Sequence, residues 1–265
     1  MISTKKSLGQ HFLRSERALS DIVSAVPLSS TDTILEIGPG EGVLTEKLLA
    51  TGARIVAIEK DDRLLPILRE RFADSIERNR LILLHGDVVD EAVLAALRAL
   101  LPSGWLLVAN IPYYITGLIL RTFLDGTRKP SRMVLLVQRE VAEDIVAKDG
   151  KESIGSIAVK VYGTPSVVAR VPRGAFVPPP AVESAILRIE DIHEPFSSEK
   201  ERSHFFALLR AGFKSRRKTI LNTLSAGTGR PKEDVEKHLL RIHVAPRARP
   251  ERLSLPDWKN IASAF

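Results

Sequence analysis

The chain has 265 residues, 44% of them hydrophobic, which suffices for one large domain plus a small one and excludes global disorder. It contains no cysteine, which excludes disulfides and zinc–thiolate sites and fits a reducing cytoplasm. The net charge of +7 is uneven: residues 200–252 carry 14 Lys and Arg against 5 Asp and Glu, and such a basic block on a near-neutral body implies a polyanionic partner.

The first thirteen residues are polar and basic, without a signal-type apolar stretch. No apolar run approaches the ~20 residues that span a bilayer, so no membrane association is expected. From there short apolar runs alternate with helix-like segments. Thr33–Ile37, Arg54–Ile58, Leu81–Leu84, Trp105–Ala109 and Met133–Val137 read as buried parallel strands. Val43–Ala50, Arg63–Phe72, Glu91–Leu101, Thr116–Leu124 and Glu140–Lys148 read as the intervening helices. This alternation predicts an α/β fold with a covered parallel sheet. Ile157–Tyr162 and Ser184–Ile189 are β-like and would finish the sheet as a hairpin-like pair. Phe176-Val177-Pro178-Pro179-Pro180 between them reads as a stiff surface loop, since three prolines cannot occupy a central strand.

Chemistry-bearing residues fall at successive strand ends. Gly38-Pro39-Gly40-Glu41-Gly42 follows the first strand, and its glycines let the backbone turn sharply and approach a ligand. The spacing is G-x-G-x-G, whereas the dinucleotide fingerprint is G-x-G-x-x-G. Glu59 ends the second strand, where a carboxylate typically meets ribose hydroxyls. Asp87 lies just past the third, placed to accept from an adenine amine. Asn110-Ile111-Pro112-Tyr113 closes the fourth, bringing an amide, a backbone carbonyl and an aromatic face together. Adenine N6 is a poor nucleophile because its lone pair is delocalised into the ring. The Asn110 side-chain oxygen and the Ile111 carbonyl can accept its two hydrogens and favour a more tetrahedral nitrogen. Pro112 stiffens the backbone there, Tyr113 can stack on the base, and Phe176 is a candidate for the opposite face. With the glycine-rich turn upstream, this set suits methyl transfer from S-adenosylmethionine to adenine N6.

The composition shifts near Ile192–Ser198, and a small all-helical domain is expected over 195–265, after a first domain over 1–194. Its helices read as Glu201–Gly212, Arg216–Leu224, Lys232–Leu240 and Leu255–Phe265. Lys214, Arg216, Arg217 and Lys218 surround Ser215. With Ser215 as a helix cap, three cations occupy the first turn, the wrong end for the helix dipole. With one helix from Phe206 to Leu224, Arg217 falls within the apolar stripe. Either placement is unfavourable, which points to phosphate contacts, and Lys5 and Lys6 would extend that surface.

These motifs, in this order, resemble the rRNA adenine N6,N6-dimethyltransferases of the KsgA/RsmA type. The resemblance runs nearly end to end, through Lys6–Leu13, Glu36–Gly42, Asn110–Tyr113, Phe176–Val182 and Phe213–Leu221. It implies a Rossmann-like, seven-stranded methyltransferase sheet with a helical carboxyl-terminal domain. It also implies dimethylation of two adjacent adenosines near the 3′ end of small-subunit (16S) rRNA during ribosome biogenesis in the cytoplasm. By the same resemblance residues 1–30 close over S-adenosylmethionine, with His11 and the Leu13 backbone in contact and Gln10 lining the site. Gly38 and Gly40 pack against the cofactor, Glu59 binds its ribose, Asp87 its adenine amine, and Asn110 sits between cofactor and base. Many members carry Asn where this chain has His11. A target base must be unstacked to reach such a pocket, which favours a single-stranded or loop substrate. The other readings are a large-subunit rRNA methyltransferase of the macrolide-resistance type, a DNA adenine methyltransferase, an assembly factor acting by binding, and an NAD-dependent oxidoreductase. No metal ligand cluster is evident, and a monomer is expected.

Overall fold

The structure is a computed structural model that describes residues 10–147, 150–215 and 217–265. The start of the amino-terminal motif with Lys5 and Lys6, Lys148 as the last residue of an expected helix, and Arg216 of the basic segment lie outside the described residues. The chain divides into two units. One holds the chain up to Ala142 together with Thr164–Ile192; the other holds Glu143–Gly163 and His193–Phe265. The division expected near residue 195 thus leaves out Glu143–Gly163, which groups with the carboxyl-terminal helices.

The first unit is built on a seven-stranded sheet. Its parallel strands are β2 (Thr33–Ile37), β3 (Arg54–Glu59), β4 (Leu81–His85), β5 (Leu106–Asn110) and β6 (Arg132–Gln138). A two-residue strand, β1 (Phe12–Leu13), precedes them outside this sheet. With β7 (Thr164–Val171) and β9 (Ser184–Glu190) the order is β4-β3-β2-β5-β6-β9-β7, and β9 runs antiparallel to both its neighbours. Every residue of β2 is buried, as continuous apolar runs in a parallel sheet require. α1 (Glu16–Ser24), α2 (Val43–Ala50), α3 (Leu65–Arg71), α4 (Ala73–Glu77), α5 (Glu91–Leu100) and α6 (Thr116–Leu124) accompany the strands. The strand order reverses between β2 and β5, and open α/β sheets bind ligands beyond the strand ends at such a point.

The antiparallel end of the sheet differs from expectation. Ile157–Tyr162 is not a strand but belongs mostly to a helix, α8 (Ile154–Lys160), which follows α7 (Arg139–Ile145) in the chain. A capping box starts it: Ser153 Oγ accepts from the Ser156 amide at 3.0 Å, and Ser156 Oγ accepts from the Ser153 amide at 2.8 Å. The strand that pairs with β9 is β7, which includes Pro165. It lies at the sheet edge, the place where a strand tolerates proline. The proline-rich stretch is partly ordered as β8 (Phe176–Val177), antiparallel to β1 with Leu13 opposite Phe176 and Phe12 opposite Val177.

The second unit continues after α8 with α9 (Glu199–Phe213), α10 (Ile220–Thr228), α11 (Lys232–Arg241) and α12 (Leu255–Ala264). Tyr162, Phe196, Phe205 and Phe206 pack ring against ring, with centroids 5.3–6.2 Å apart. Phe213 stacks on Trp258 at 5.3 Å. The basic segment adopts neither helical placement considered from the sequence. α9 ends at Phe213, α10 begins after Thr219, and Lys214, Arg217 and Lys218 are exposed around the intervening turn. Burial of Ile220, Thr223 and Leu224 sets the start of α10, so the cations are left outside any helix. Among the described residues no helix is long and apolar enough to cross a membrane.

Candidate active site

One pocket gathers the strand-end residues. Gln10, His11, Leu13, Gly38, Gly40, Glu59, Asp87, Asn110, Ile111, Pro112 and Tyr113 all line it. The glycine-rich turn after β2 has positive φ at Gly38 (68°) and Gly40 (61°). A Cβ on Gly38 would meet no atom within 4 Å, so the backbone there borders open space. A Cβ on Gly40 would stand 3.1 Å from the Phe12 ring, so the turn and the amino-terminal segment fit together closely.

Glu59 is buried, and its carboxylate accepts from the Asp61 amide at 2.8 Å and the Gly40 amide at 3.1 Å. Burial raises its pKa, against the lowering effect of these amides. Asp87 pairs with Lys60 at 2.6 Å. Burial alone would raise the Asp87 pKa, but the Lys60 hydrogen bond and charge, with the Val89 amide, outweigh it and leave the group lowered. A third carboxylate, Glu36, lies within β2, is buried, and accepts from Thr45 Oγ1 at 2.7 Å. Burial pushes it up to about 8, helped by the charge of Glu59 and opposed by Thr45. The sequence signal for it is a lone carboxylate inside the apolar run Thr33-Ile34-Leu35-Glu36-Ile37.

The amino-terminal segment crosses this pocket and is fastened at several points. Gln10 Nε2 donates to Asp61 Oδ2 at 2.9 Å, and Asp61 is held by Arg63 at 2.6 Å. Arg63, with lesser help from Gln10, keeps the Asp61 carboxyl far below the usual carboxylate range in spite of its burial. Arg14 pairs with Glu41, and its amide donates to the Ala175 carbonyl at 2.7 Å. Neither Asp61 nor Arg63 stands out in the sequence, because Asp61 meets a partner, Gln10, 51 residues away and Arg63 matters through Asp61.

The acceptor half is ordered by a second set of bonds. Asn110 Nδ2 donates to the His11 carbonyl at 3.4 Å, and His11 Nδ1 lies 2.8 Å from the Pro178 carbonyl. Tyr113 Oη is 2.6 Å from Ser184 Oγ, and burial raises the phenol pKa, so it stays neutral. The His11 and Tyr113 rings are 6.1 Å apart and 19° from parallel. Phe176 departs from expectation: it is 2% exposed, packs in the hydrophobic core opposite Leu13, and is not among the pocket's lining residues. Its ring is packed into that core, so in this arrangement it offers no face to a base. Exposed Tyr114 and Leu118 line the pocket instead, neither of them singled out by the sequence motifs. The described residues contain no group of three or more His, Cys, Asp or Glu side chains arranged to hold a metal ion.

The family described as ribosomal RNA adenine dimethylase matches residues 1–264. The ribosomal RNA small subunit methyltransferase A of Dehalococcoides mccartyi is 41% identical over 264 residues, covering all of this chain and 89% of that protein. A dimethyladenosine transferase from Plasmodium falciparum superposes with a TM-score of 0.77 at 24% identity, covering 95% of this chain and 96% of that one. The 23S rRNA methyltransferase ErmE superposes with a TM-score of 0.75 at 24% identity, covering 96% and 98%. Both share the methyltransferase fold. With the full-length family match and a pocket formed at four successive strand ends, the chain belongs to the ribosomal RNA adenine dimethylases, enzymes that transfer methyl groups from S-adenosylmethionine to adenine.

Proposed function

We propose that the protein dimethylates N6 of two adjacent adenosines in small-subunit rRNA, near its 3′ end. The observation that carries this reading is the meeting of the glycine-rich turn, Glu59, Asp87 and Asn110–Tyr113 in one pocket. The small-subunit target is supported by the curated relatives, which are named ribosomal RNA small subunit methyltransferase A. Nothing comparable favours the large-subunit alternative, since the likeness to ErmE at 24% identity is a likeness of fold.

The pocket suits S-adenosylmethionine on two observations. The Gly38 backbone borders open space, and two carboxylates, buried Glu59 and half-buried Asp87, stand at the ends of adjacent strands. Gly38 and Gly40 would pack against the cofactor, Glu59 would take its ribose hydroxyls, and Asp87 would take its adenine amine in exchange for part of its bond to Lys60. Gln10, His11 and Leu13 would close the site from above. Bound there, the cofactor supplies an electrophilic methyl group on a cationic sulfur.

The chain's own part in the reaction is orientation and electrostatics. Asn110 turns its amide nitrogen to His11, which leaves Oδ1 to accept one N6 hydrogen. The Ile111 carbonyl would accept the other. Two acceptors on the amine hold its lone pair clear of the ring and make it the better nucleophile, with no strong general base required. Pro112 fixes the backbone just after them, and Tyr113, tethered through its hydroxyl to Ser184, would stack on the base. Lys214, Arg217 and Lys218 form no ion pair among the described residues, which suits contact with RNA phosphates. The carboxyl-terminal helices, with Glu143–Gly163, would serve as the RNA-holding unit.

The test is incubation with S-adenosylmethionine and undermethylated small or large ribosomal subunits, followed by mass spectrometry of the RNA. N6,N6-dimethyladenosine at two adjacent positions near the small-subunit 3′ end is expected. Modification confined to the large subunit would refute the proposed target.

A further inference from the structure

We propose that His11 acts as a positioning residue for the acceptor half of the site, beyond any contact it makes with the cofactor. The inference rests on the proposed placement of the base beside Asn110. Three observations meet at this residue. Its Nδ1 stands 2.8 Å from the Pro178 carbonyl, and a carbonyl only accepts, so Nδ1 carries the proton and the ring is pinned. Its own carbonyl accepts from Asn110 Nδ2 at 3.4 Å, which decides which way the amide faces. Its ring lies 19° from parallel with that of Tyr113, at 6.1 Å.

His11 thereby ties the Pro178 backbone to Asn110 and Tyr113, all of them far from it in sequence. Pinning the ring to Pro178 holds the residue's backbone in place. The backbone carbonyl in turn holds the Asn110 amide, with Oδ1 turned toward the base. The ring also limits the tilt of Tyr113. The rest of the segment does not depend on it: Gln10 is bonded to Asp61, Arg14 to Glu41 and Ala175, and Phe12 and Leu13 pair with Val177 and Phe176. Removing the imidazole therefore disturbs the acceptor geometry while these other bonds still close the cofactor side.

The test uses His11→Ala and His11→Asn in the full chain. S-adenosylhomocysteine affinity is measured by calorimetry, and methyl transfer to small-subunit RNA under single turnover. Asn Nδ2 stands the same two bonds from Cβ as imidazole Nδ1, so it can donate to the Pro178 carbonyl. His11→Ala is expected to slow transfer by about ten- to a hundredfold, the scale of a small misplacement of reacting groups. Measured at saturating S-adenosylmethionine, that loss of rate should exceed any loss of S-adenosylhomocysteine affinity that follows from the missing cofactor contact. His11→Asn should recover most of the rate. An equal loss of cofactor affinity and rate, or no rescue by Asn, would overturn the proposal. So would an unchanged rate in His11→Ala. Should the alanine variant fail to fold, His11→Leu against His11→Asn decides on the same terms. Failure of the unaltered protein to methylate rRNA would instead refute the proposed function itself, and is read before any variant.

Discussion

The Tyr113 hydroxyl and the Ser184 hydroxyl lie 2.6 Å apart, joining a residue three positions past the end of β5 to the first residue of β9. Tyr113 is therefore held at both ends, by the Pro112 backbone and by its own phenol. Replacing it with Phe keeps the ring and loses one neutral hydrogen bond, worth about 1 kcal/mol. Tyr113→Phe should lower kcat/KM less than about tenfold. Tyr113→Ala removes the stacking face as well, worth about 1–3 kcal/mol per base, and should cost more. Steady-state kinetics on small-subunit RNA compares the two; equal losses would mean that the ring contributes nothing beyond its hydroxyl.

Glu36 gives a dependence of stability on pH. Its folded pKa of about 8 lies above the unfolded value of 4.5 because the carboxylate is buried. Its contribution is complete below 4.5 and is lost as pH rises through 8, since the unfolded chain ionises first. Glu36→Gln keeps an acceptor for Thr45 and removes the titration. The variant should gain melting temperature on the wild type progressively between pH 5 and pH 9, by a free energy on the order of a few kcal/mol at the upper end. Melting curves that stay parallel across that range would contradict the buried, protonated state of Glu36.

The second unit depends on a close approach at Gly212. A Cβ there would stand 2.2 Å from the Trp258 ring and 3.2 Å from Ile220 Cδ1. Gly212→Ala should destabilise by about 1–3 kcal/mol through overpacking. Calorimetric unfolding reads this directly, and an unchanged melting temperature would mean that α9 and α12 pack less tightly than described.

Charge reversal at Lys214, Arg217 and Lys218 should weaken RNA binding and flatten its dependence on salt. Each phosphate contact adds about 0.7–0.9 to the slope of log K against log salt, so losing three should reduce it by about 2. Affinity titrations at several salt concentrations measure it. A variant with unchanged slope would remove these residues from the RNA-contacting surface.

Much of this was legible in the sequence, for physical reasons. Parallel strands buried on both faces are continuous apolar runs, so β2 to β6 and the residues at their ends could be located from pattern alone. Ile157–Tyr162 reads as a strand but is mostly helix, because a short apolar run rich in β-branched residues cannot be told from a buried helix by periodicity. The deciding signal was local, the Ser153 and Ser156 capping box. Phe176 reads as a face for the base because its burial depends on pairing with Leu13, more than 160 residues away. The same holds for Asp61, Lys60 and Ser184, whose partners lie 51, 27 and 71 residues off. The basic segment reads as helix because either neighbouring helix can be extended through it; tertiary burial at Ile220 decides otherwise.

Asn110 carries the central claim, that orientation of the adenine amine rather than a strong base drives transfer. The most direct measurement is single-turnover methylation of small-subunit RNA by Asn110→Ala, alongside the affinities of that variant for S-adenosylhomocysteine and for RNA. Methyl transfer should fall by about a hundredfold or more, the scale seen on removing one preorganised group at a reacting centre, with both affinities nearly unchanged. Transfer at the wild-type rate, or losses of binding as large as the loss of rate, would contradict the role assigned to Asn110.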